Sequence, residues 1–260
     1  MTTSTKTEMV LIMEYDGTHY YGFQLQANLP TIQGEVETAL WKLTGERSRV
    51  MAASRTDSGV HAKGQVASFQ TRSSLPSPTF IKGLNYYLPG DIAVKDAFRV
   101  SDSFNVRRHA LSREYNYYIL NSPTRSPIRR GFVYLVTHSL NIGAMNQACE
   151  VLTGEHDFAS FVTSLEGSNV KSMVRHVYQA KVEKDGELVI FNIVANSFLP
   201  HQVRNTVGTL IKVGLGKMTI DEFRSILEAR RPGLGGPTVP AHGLCLMGVS
   251  YPHSWEEMHN

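Results

Sequence analysis

The chain has 260 residues and a mass of 29.0 kDa, which is more than one typical domain and less than two large ones. With 42% apolar and 19% charged residues, its composition excludes wholesale disorder, a collagen-like repeat and a small disulfide-rich scaffold. The 26 basic and 23 acidic residues leave a net charge of +3, so charge is informative only where it concentrates. Cys149 and Cys245 are too far apart in sequence to form a paired zinc ligand set, and we expect both to be reduced core thiols.

The sequence contains no apolar run that approaches the roughly 18 residues needed to span a bilayer. The longest N-terminal run, residues 9–13, ends at Glu14 and is not followed by a signal-peptide cleavage pattern. We therefore expect a soluble, cytoplasmic protein without a membrane partner.

The first 100 residues predict the element order β-α-β-β-α-β. The pattern gives strands at 9–13, 49–53, 65–71 and 92–100, a helix between the N-cap Thr31 and Gly45, a second helix after Pro76 and Pro78, and a polar loop at 54–64. An Asp-Gly turn at residues 16–17 ends the first strand.

The second half repeats this order. Strands are predicted at 132–136, 174–183, 187–194 and 244–250, with helices at 141–152, from His201 and from Thr219. We predict an α+β fold of two ferredoxin-like halves, with antiparallel sheets flanking a central active-site cleft. The predicted domains are 1–104, which carries an Asp loop, a basic connector and central strand at 105–131, and 132–260.

The basic charge concentrates in residues 105–131. This connector has a net charge of +5 in 27 residues, while the rest of the chain carries 20 basic and 22 acidic residues. Its arginines are Arg107, Arg108, Arg113, Arg125, Arg129 and Arg130, and Tyr115, Tyr117 and Tyr118 lie among them. Such a segment is either a solvated connector or a surface that binds phosphates and stacks on bases. Tyr115 and Tyr117 share one face of the strand, so at least one of the three tyrosines is expected to be structural.

The loop between the second and third predicted strands contains Ser54-Arg55-Thr56-Asp57-Ser58-Gly59-Val60-His61. An Asp carboxylate is ionised at neutral pH and can act as a nucleophile without a general base. Arg55 projects to the same side as Asp57 if the backbone is extended. The alternative is an ordinary Asx turn with an exposed ion pair.

Other reactions fit the sequence less well. An aspartyl phosphotransferase needs Mg²⁺ and further carboxylates, and none of the seven residues after Asp57 is acidic. The ten histidines are scattered, without the His-x-x-x-His or His-x-Glu patterns of metal-dependent enzymes, and a Gly-x-Ser-x-Gly elbow is missing.

Seven groups of residues, in this order, resemble the tRNA pseudouridine synthases of the TruA type from about Val10 to Tyr251. They are Tyr15-Asp16-Gly17 with Tyr20, Gly22, Phe23 and Gln26; residues 55–61; Asn85 with Leu88-Pro89; Phe104 with Arg107; Arg113 with Tyr115 and Tyr117; His156-Asp157-Phe158 with Ser160-Phe161; and Asn196-x-Phe198 followed by His201-x-x-Arg204-Asn205 and Gly208. The Arg-Thr-Asp-x-Gly-Val-His block is the most specific of the seven.

This resemblance implies an isomerase that converts uridine to pseudouridine at positions 38, 39 and 40 of the tRNA anticodon stem-loop, as a homodimer and without a cofactor or metal. It implies Asp57 as the catalytic nucleophile and Arg204 as its ion-pair partner, which would keep the carboxylate charged. Tyr115 would stack on the uracil and relay a proton, and Arg55 would help to flip the nucleotide or contact its phosphate. The expected RNA contacts are Arg107, Arg108, Arg113, Arg125, Arg129, Arg130 and His61.

The chain departs from the family pattern at Ser54, at Val106 and at Leu199-Pro200, and none of these positions belongs to the expected catalytic set. The polar stretch 163–173 carries no interpretable motif. Two alternatives stay open: a non-catalytic RNA-binding module on the same fold, and a synthase of this family with another RNA target.

Overall fold

A computed structural model describes residues 6–163, 171–253 and 255. The chain forms two compact units. The first contains the chain up to Leu111 together with the residues from Leu246 onward, and the second contains Ser112–Cys245. The chain thus leaves the first unit after residue 111, beyond the predicted boundary at 104. The three-part division at 104 and 131 stays a prediction, and most of the stretch 163–173 lies outside the described residues.

The first unit is a sheet with two helices. Its elements are β1 (Thr7–Tyr15), α1 (Ile32–Thr44), β2 (Met51–Ala52), β3 (His61–Thr71), α2 (Ser77–Tyr87) and β4 (Ile92–Val100), and the later strand β10 (Leu244–Ser250) lies next to β3. β1 pairs antiparallel with both β3 and β4, and β2 pairs antiparallel with β3.

Both faces of the sheet in the first unit are covered by apolar side chains. Because side chains alternate along a strand, Met9 and Val10 of β1 enter different layers. On the helical side the rings of Phe69 and Phe80 lie 5.8 Å apart and join β3 to α2. On the other side, Val10 belongs to a buried cluster with Phe104, against which Tyr251 packs.

The second unit contains five paired strands and its own helices. Its elements are β5 (Ser112–Asn121), β6 (Tyr134–Val136), α3 (Ile142–Leu152), β7 (Gly154–Asp157), β8 (Val174–Asp185), β9 (Leu188–Ala195), α4 (Gln202–Gly214) and α5 (Ile220–Ala229). The strand order is β5-β9-β8-β7 with antiparallel pairs, and β6 pairs parallel with β5.

The mixed α+β class predicted from the sequence is confirmed, and so are several element ends. The Thr31 side chain accepts a hydrogen bond from the Gly34 amide at the start of α1, and Gly45 ends that helix with φ of 74°. The bounds of β4 and β10 agree with the prediction. The ferredoxin-like form of the two halves and the central cleft stay predictions.

Three predicted elements need correction. β3 begins at His61 rather than Gln65, because Ala62 already pairs with Tyr15 of β1. β2 and β6 are shorter than predicted, and β7 was not predicted. Cys149 and Cys245 are buried and not joined in a disulfide, as expected, and burial raises the pKa of Cys149 to about 12.

Candidate active site

The loop that carries Asp57 is held in place by backbone hydrogen bonds within the first unit. The Phe23 amide donates to the Thr56 carbonyl (3.1 Å), and the Gly59 amide donates to the Tyr20 carbonyl (3.2 Å). A turn closed by the Val60 amide and the Asp57 carbonyl follows (3.2 Å). Asp57 is half-buried and Arg55 is exposed, so the loop presents a carboxylate and a guanidinium from a fixed backbone.

Gly22 lies directly beneath the Asp57 peptide. Its φ is +86°, and a Cβ placed on it would lie 2.7 Å from the Thr56 carbonyl oxygen and 3.2 Å from the Asp57 carbonyl carbon. A side chain at this position is therefore opposed both by backbone conformation and by lack of space. This close approach sets the distance between the backbone of residues 20–23 and the backbone of the Asp57 loop.

A buried polar network supports the same loop from the sheet. The Tyr15 hydroxyl lies 2.8 Å from Thr56 Oγ1 and accepts a hydrogen bond from Gln65 Nε2 (3.1 Å). Gln65, which is fully buried, also donates to the Ser54 carbonyl (2.7 Å). The segment before Asp57 is thereby tied to β1 and β3. The sequence analysis assigned no role to Gln65, although Tyr15 stands in the first family motif.

His61 lies inside the first unit rather than on its surface. It is 5% exposed, its Nδ1 accepts from the Gly17 amide (3.1 Å), and the same atom lies 3.0 Å from Asp16 Oδ1. Burial acts to raise the pKa of Asp16, but hydrogen bonds from Thr18 and the nearby imidazoles of His61 and His19 outweigh it and lower that pKa. The RNA contact expected of His61 stays a prediction.

Tyr115 and Tyr117 lie on one face of β5 in the second unit and are both buried. The ring of Tyr115 meets Phe198 edge to face, with centroids 5.3 Å apart. The Tyr117 hydroxyl donates to the Pro240 carbonyl (2.7 Å), and burial raises its pKa far above the ordinary range. Tyr117 thus has a structural role, in line with the expectation that at least one of the three tyrosines is structural.

Arg204 lies in the first turn of α4, as predicted, and its Nε donates to the Val239 carbonyl (2.8 Å). The helix and the segment around Pro237 approach backbone to backbone, since a Cβ on Gly208 would lie 2.0 Å from the Pro237 carbonyl oxygen. Arg204 is consequently held at a set position in the second unit. Its expected ion pair with Asp57 joins residues of different units and stays a prediction.

The connector arginines differ in exposure. Arg113 is 6% exposed and donates to the Asn196 carbonyl (2.7 Å), so its guanidinium is engaged within the second unit. The exposed members are Arg107, Arg108, Arg125, Arg129 and Arg130. Ile128, which lies between Arg125 and Arg129 in the sequence, is 93% exposed.

Within the described ranges, no group of three or more His, Cys, Asp or Glu side chains is arranged to hold a metal ion. In the same ranges, no helix has both the length and the apolar character needed to cross a bilayer.

Comparison with known proteins places this chain among the pseudouridine synthases. A family model described as tRNA pseudouridine synthase matches residues 11–107 and 148–252. The chain is 43% identical to tRNA pseudouridine synthase A of Acetivibrio thermocellus over 93% of this chain and 98% of that protein. It is 44% identical to the Exiguobacterium protein of the same name over 93% of this chain and 96% of that protein. Within that class, the chain belongs to the tRNA pseudouridine synthase family.

The family resemblance recognised in the sequence is therefore confirmed, and so is the prediction of an isomerase of this kind. Among solved structures, the archaeal box H/ACA sRNP Nop10-Cbf5 complex is similar at 12% identity with a TM-score of 0.36, over 79% of this chain and 44% of that chain. No feature of the fold described above rests on that similarity.

Proposed function

We propose that this protein converts uridine to pseudouridine at positions 38, 39 and 40 of the tRNA anticodon stem-loop, with Asp57 as nucleophile and no cofactor. The observation that carries the proposal is the Asp57 loop itself. Its backbone is hydrogen-bonded to residues 20–23, and Gly22 leaves room for it, in a chain that is more than 40% identical to proteins named tRNA pseudouridine synthase A.

The proposed reaction rearranges bonds without changing the composition of the nucleoside. The bond between C1′ and N1 breaks, the uracil turns, and C1′ joins C5. N1 gains a proton and C5 loses one, so no electrons are gained or lost overall. A charged carboxylate needs no preceding deprotonation to assist the first step, which suits Asp57.

In this proposal, Tyr115 and Arg204 of the second unit act on the uracil and on the Asp57 carboxylate, respectively. Tyr115 stacks on the uracil and relays the C5 proton, and its edge-to-face contact with Phe198 supports this role by fixing the ring plane. Arg204 pairs with Asp57 and favours the charged carboxylate. The hydrogen bond of Arg204 to Val239 restricts its side chain and supports that assignment.

We propose that Arg55 assists extrusion of the target nucleotide, because it is exposed and two residues from Asp57. Flipping a base out of a stack costs a few kcal/mol, and one stacking contact contributes about 1–3 kcal/mol in return. The exposed connector arginines, residues 107, 108, 125, 129 and 130, are proposed to contact phosphates. Arg113 would act by supporting β5 rather than by binding RNA directly, since it is buried.

We further propose that the protein acts in the cytoplasm as a homodimer and that both halves are ferredoxin-like. A two-fold partner doubles the number of exposed arginines that can meet one tRNA. The antiparallel order β4-β1-β3, with β2 beside β3, supports the ferredoxin-like form for the first half.

Asp57→Asn tests the chemistry, because it removes the charge and keeps the shape. We expect pseudouridine formation to be abolished while tRNA affinity stays within about twofold, a difference of less than 0.5 kcal/mol. Asp185→Asn, at the exposed last residue of β8, is the matched control and should leave activity unchanged. Retained activity in Asp57→Asn would remove the carboxylate from its role.

The substrate is tested separately by carbodiimide primer extension on tRNA from cells with and without the gene. The signals at positions 38, 39 and 40 should disappear in the deletion. If those uridines stay modified and another uridine loses its signal, the enzyme is a synthase with a different target. If no signal changes and the purified protein binds RNA without converting it, the chain is an RNA-binding module.

A further inference from the structure

A basic groove with a volume of about 1020 Å³ opens in the first unit. Its lining includes the chain between α1 and β2 and residues 102–108. Seven cations line it, and all are exposed: Lys6, Arg47, Arg49, Arg55, Arg72, Arg107 and Arg108. Of these seven, Arg107 and Arg108 belong to the basic connector. The other five are spread along the sequence before it.

Three acidic residues line the basic groove against its seven cations. Glu46 accepts hydrogen bonds from Thr71 Oγ1 (2.9 Å) and from the Arg72 amide (3.1 Å), which hold its charged carboxylate in place. Glu8 is buried, and Asp102 is the single exposed acid among the described lining residues. An anionic ligand therefore meets an excess of positive charge along the groove.

The basic groove offers charge but no surface for base stacking. Its aromatic lining residues, Phe23, Phe69 and Phe104, are all buried in the core of the unit. Recognition of unpaired RNA depends on aromatic faces that stack on splayed bases, whereas a paired stem presents phosphates and riboses to a protein. The chemistry of this groove matches the backbone of a double-helical stem.

The basic groove is continuous with the Asp57 loop. Arg55 lines it and stands two residues before the proposed nucleophile. Arg107, another lining residue, donates to the Ala52 carbonyl of β2 (3.3 Å), which ties residues 102–108 to the strand that leads into the loop. A stem bound here would therefore end beside the reacting nucleotide.

We propose that the basic groove binds the sugar-phosphate backbone of the base-paired stem that adjoins the target uridine. This proposal rests on the proposed function and extends it by naming the part of the RNA that the first unit holds. It adds four residues, Lys6, Arg47, Arg49 and Arg72, to the RNA contacts expected from the sequence.

The test is the triple variant Arg47→Gln/Arg49→Gln/Arg72→Gln in the full-length protein. Its matched control is Lys42→Gln/Lys82→Gln/Lys95→Gln, which removes the same charge from exposed positions of the same unit outside the groove. Binding is measured against salt with three probes: an anticodon stem-loop RNA, a blunt duplex of its stem, and one strand of that stem. Thermal melting checks that each variant is folded.

We expect the groove variant to bind the stem-loop and the duplex about tenfold or more weakly at 0.1 M salt, with the slope of log K against log salt reduced by about 2 to 3. Single-strand affinity should change by less than about twofold. In turnover assays KM should rise while kcat stays the same, because the chemical step is untouched. The lysine control should behave as the wild type.

Equal binding and equal salt slopes in the groove and lysine variants would overturn the proposal, and so would a loss confined to the single strand. If the triple variant melts early, Arg47→Gln and Arg49→Gln are measured singly, with a slope change of about 0.9 expected for each lost phosphate contact. Failure of the proposed function is distinguishable, since the wild-type enzyme would then form no pseudouridine in the same stem-loop whatever the groove binds.

Discussion

The Tyr15 hydroxyl lies 2.8 Å from Thr56 Oγ1 and joins the last residue of β1 to the residue that precedes Asp57. The contact is buried, and Gln65 Nε2 donates to the same hydroxyl. The position of the proposed nucleophile is thus set by side chains of the sheet as well as by the backbone of its loop.

Tyr15→Phe should therefore lower both stability and activity. It leaves the Thr56 hydroxyl and one Gln65 N–H without their buried partner, which costs about 1–3 kcal/mol. The effect of Thr56→Val should be less than additive with it, as urea unfolding of both single variants and the double variant would show. Tyr20→Phe is the control: its hydroxyl donates to Asp91 Oδ1 (2.6 Å), and its loss should affect stability but not kcat. Additive effects of Tyr15 and Thr56 would contradict the coupling.

Gly22→Ala should impair the enzyme more than its backbone strain alone explains. The control is Gly45→Ala, where φ is +74° but nothing lies within 4 Å of an added Cβ. Gly45→Ala should cost roughly 1 kcal/mol from the left-handed conformation and leave kcat unchanged. Gly22→Ala adds the overlap with the Thr56 carbonyl oxygen, so both the free energy of unfolding and kcat should fall further. Equal effects of the two substitutions would show that the contact beneath Asp57 is unimportant.

Substitutions of the two buried tyrosines of β5 should differ in effect: Tyr117→Phe should lower stability, and Tyr115→Phe should lower kcat. Tyr117→Phe removes the donor to the Pro240 carbonyl and should cost about 1–3 kcal/mol of stability, with kcat retained by the folded fraction. Tyr115→Phe keeps the stacking ring and removes the hydroxyl proposed to relay the C5 proton, so kcat should fall while KM stays nearly constant. Single-turnover kinetics on folded protein distinguish the two, and a reversed pattern would exchange their roles.

Glu8 should make stability depend on pH in the weakly acidic range. Burial raises its pKa above the ordinary 4.5, and Asp102 adds to the shift, while hydrogen bonds from Ser68 and Gln70 oppose it. The folded state therefore holds a proton that the unfolded state releases, and stability falls as pH rises from 4.5 through the raised pKa. Glu8→Gln should raise Tm relative to the wild type at pH 7 and lose that advantage near pH 4. A pH-independent difference between the two proteins would contradict this assignment.

Local signals account for the elements that the sequence predicted well. The ends of α1 follow from the capping residues Thr31 and Gly45, which act on their immediate neighbours. β7 was missed because Gly154-Glu155-His156-Asp157 has no apolar alternation and is defined by its pairing with β8. Motifs located Asp57 and Arg204, which lie where they were expected along the chain.

Non-local pairing explains what the sequence could not reveal about the site. The role of Gln65 depends on the register of β3 against β1, where Gln65 faces Met13 and Ala62 faces Tyr15. The same register makes His61 part of a buried strand rather than of a loop. The basic groove could not be predicted from the sequence for a similar reason, because its arginines come from four separate segments of the chain.

The first unit includes residues that follow the second unit in the chain, and this affects when the first unit can fold during translation. Tyr251 donates to the Val106 carbonyl (2.7 Å), the Leu111 amide donates to the Ser250 carbonyl (2.8 Å), and Val249 packs on the Val10 cluster. The ribosome synthesises these residues after the whole of the second unit. The apolar layer on this face of the Asp57-bearing sheet can therefore close only after the second unit has been translated, and until then that face of the nascent first unit stays uncovered.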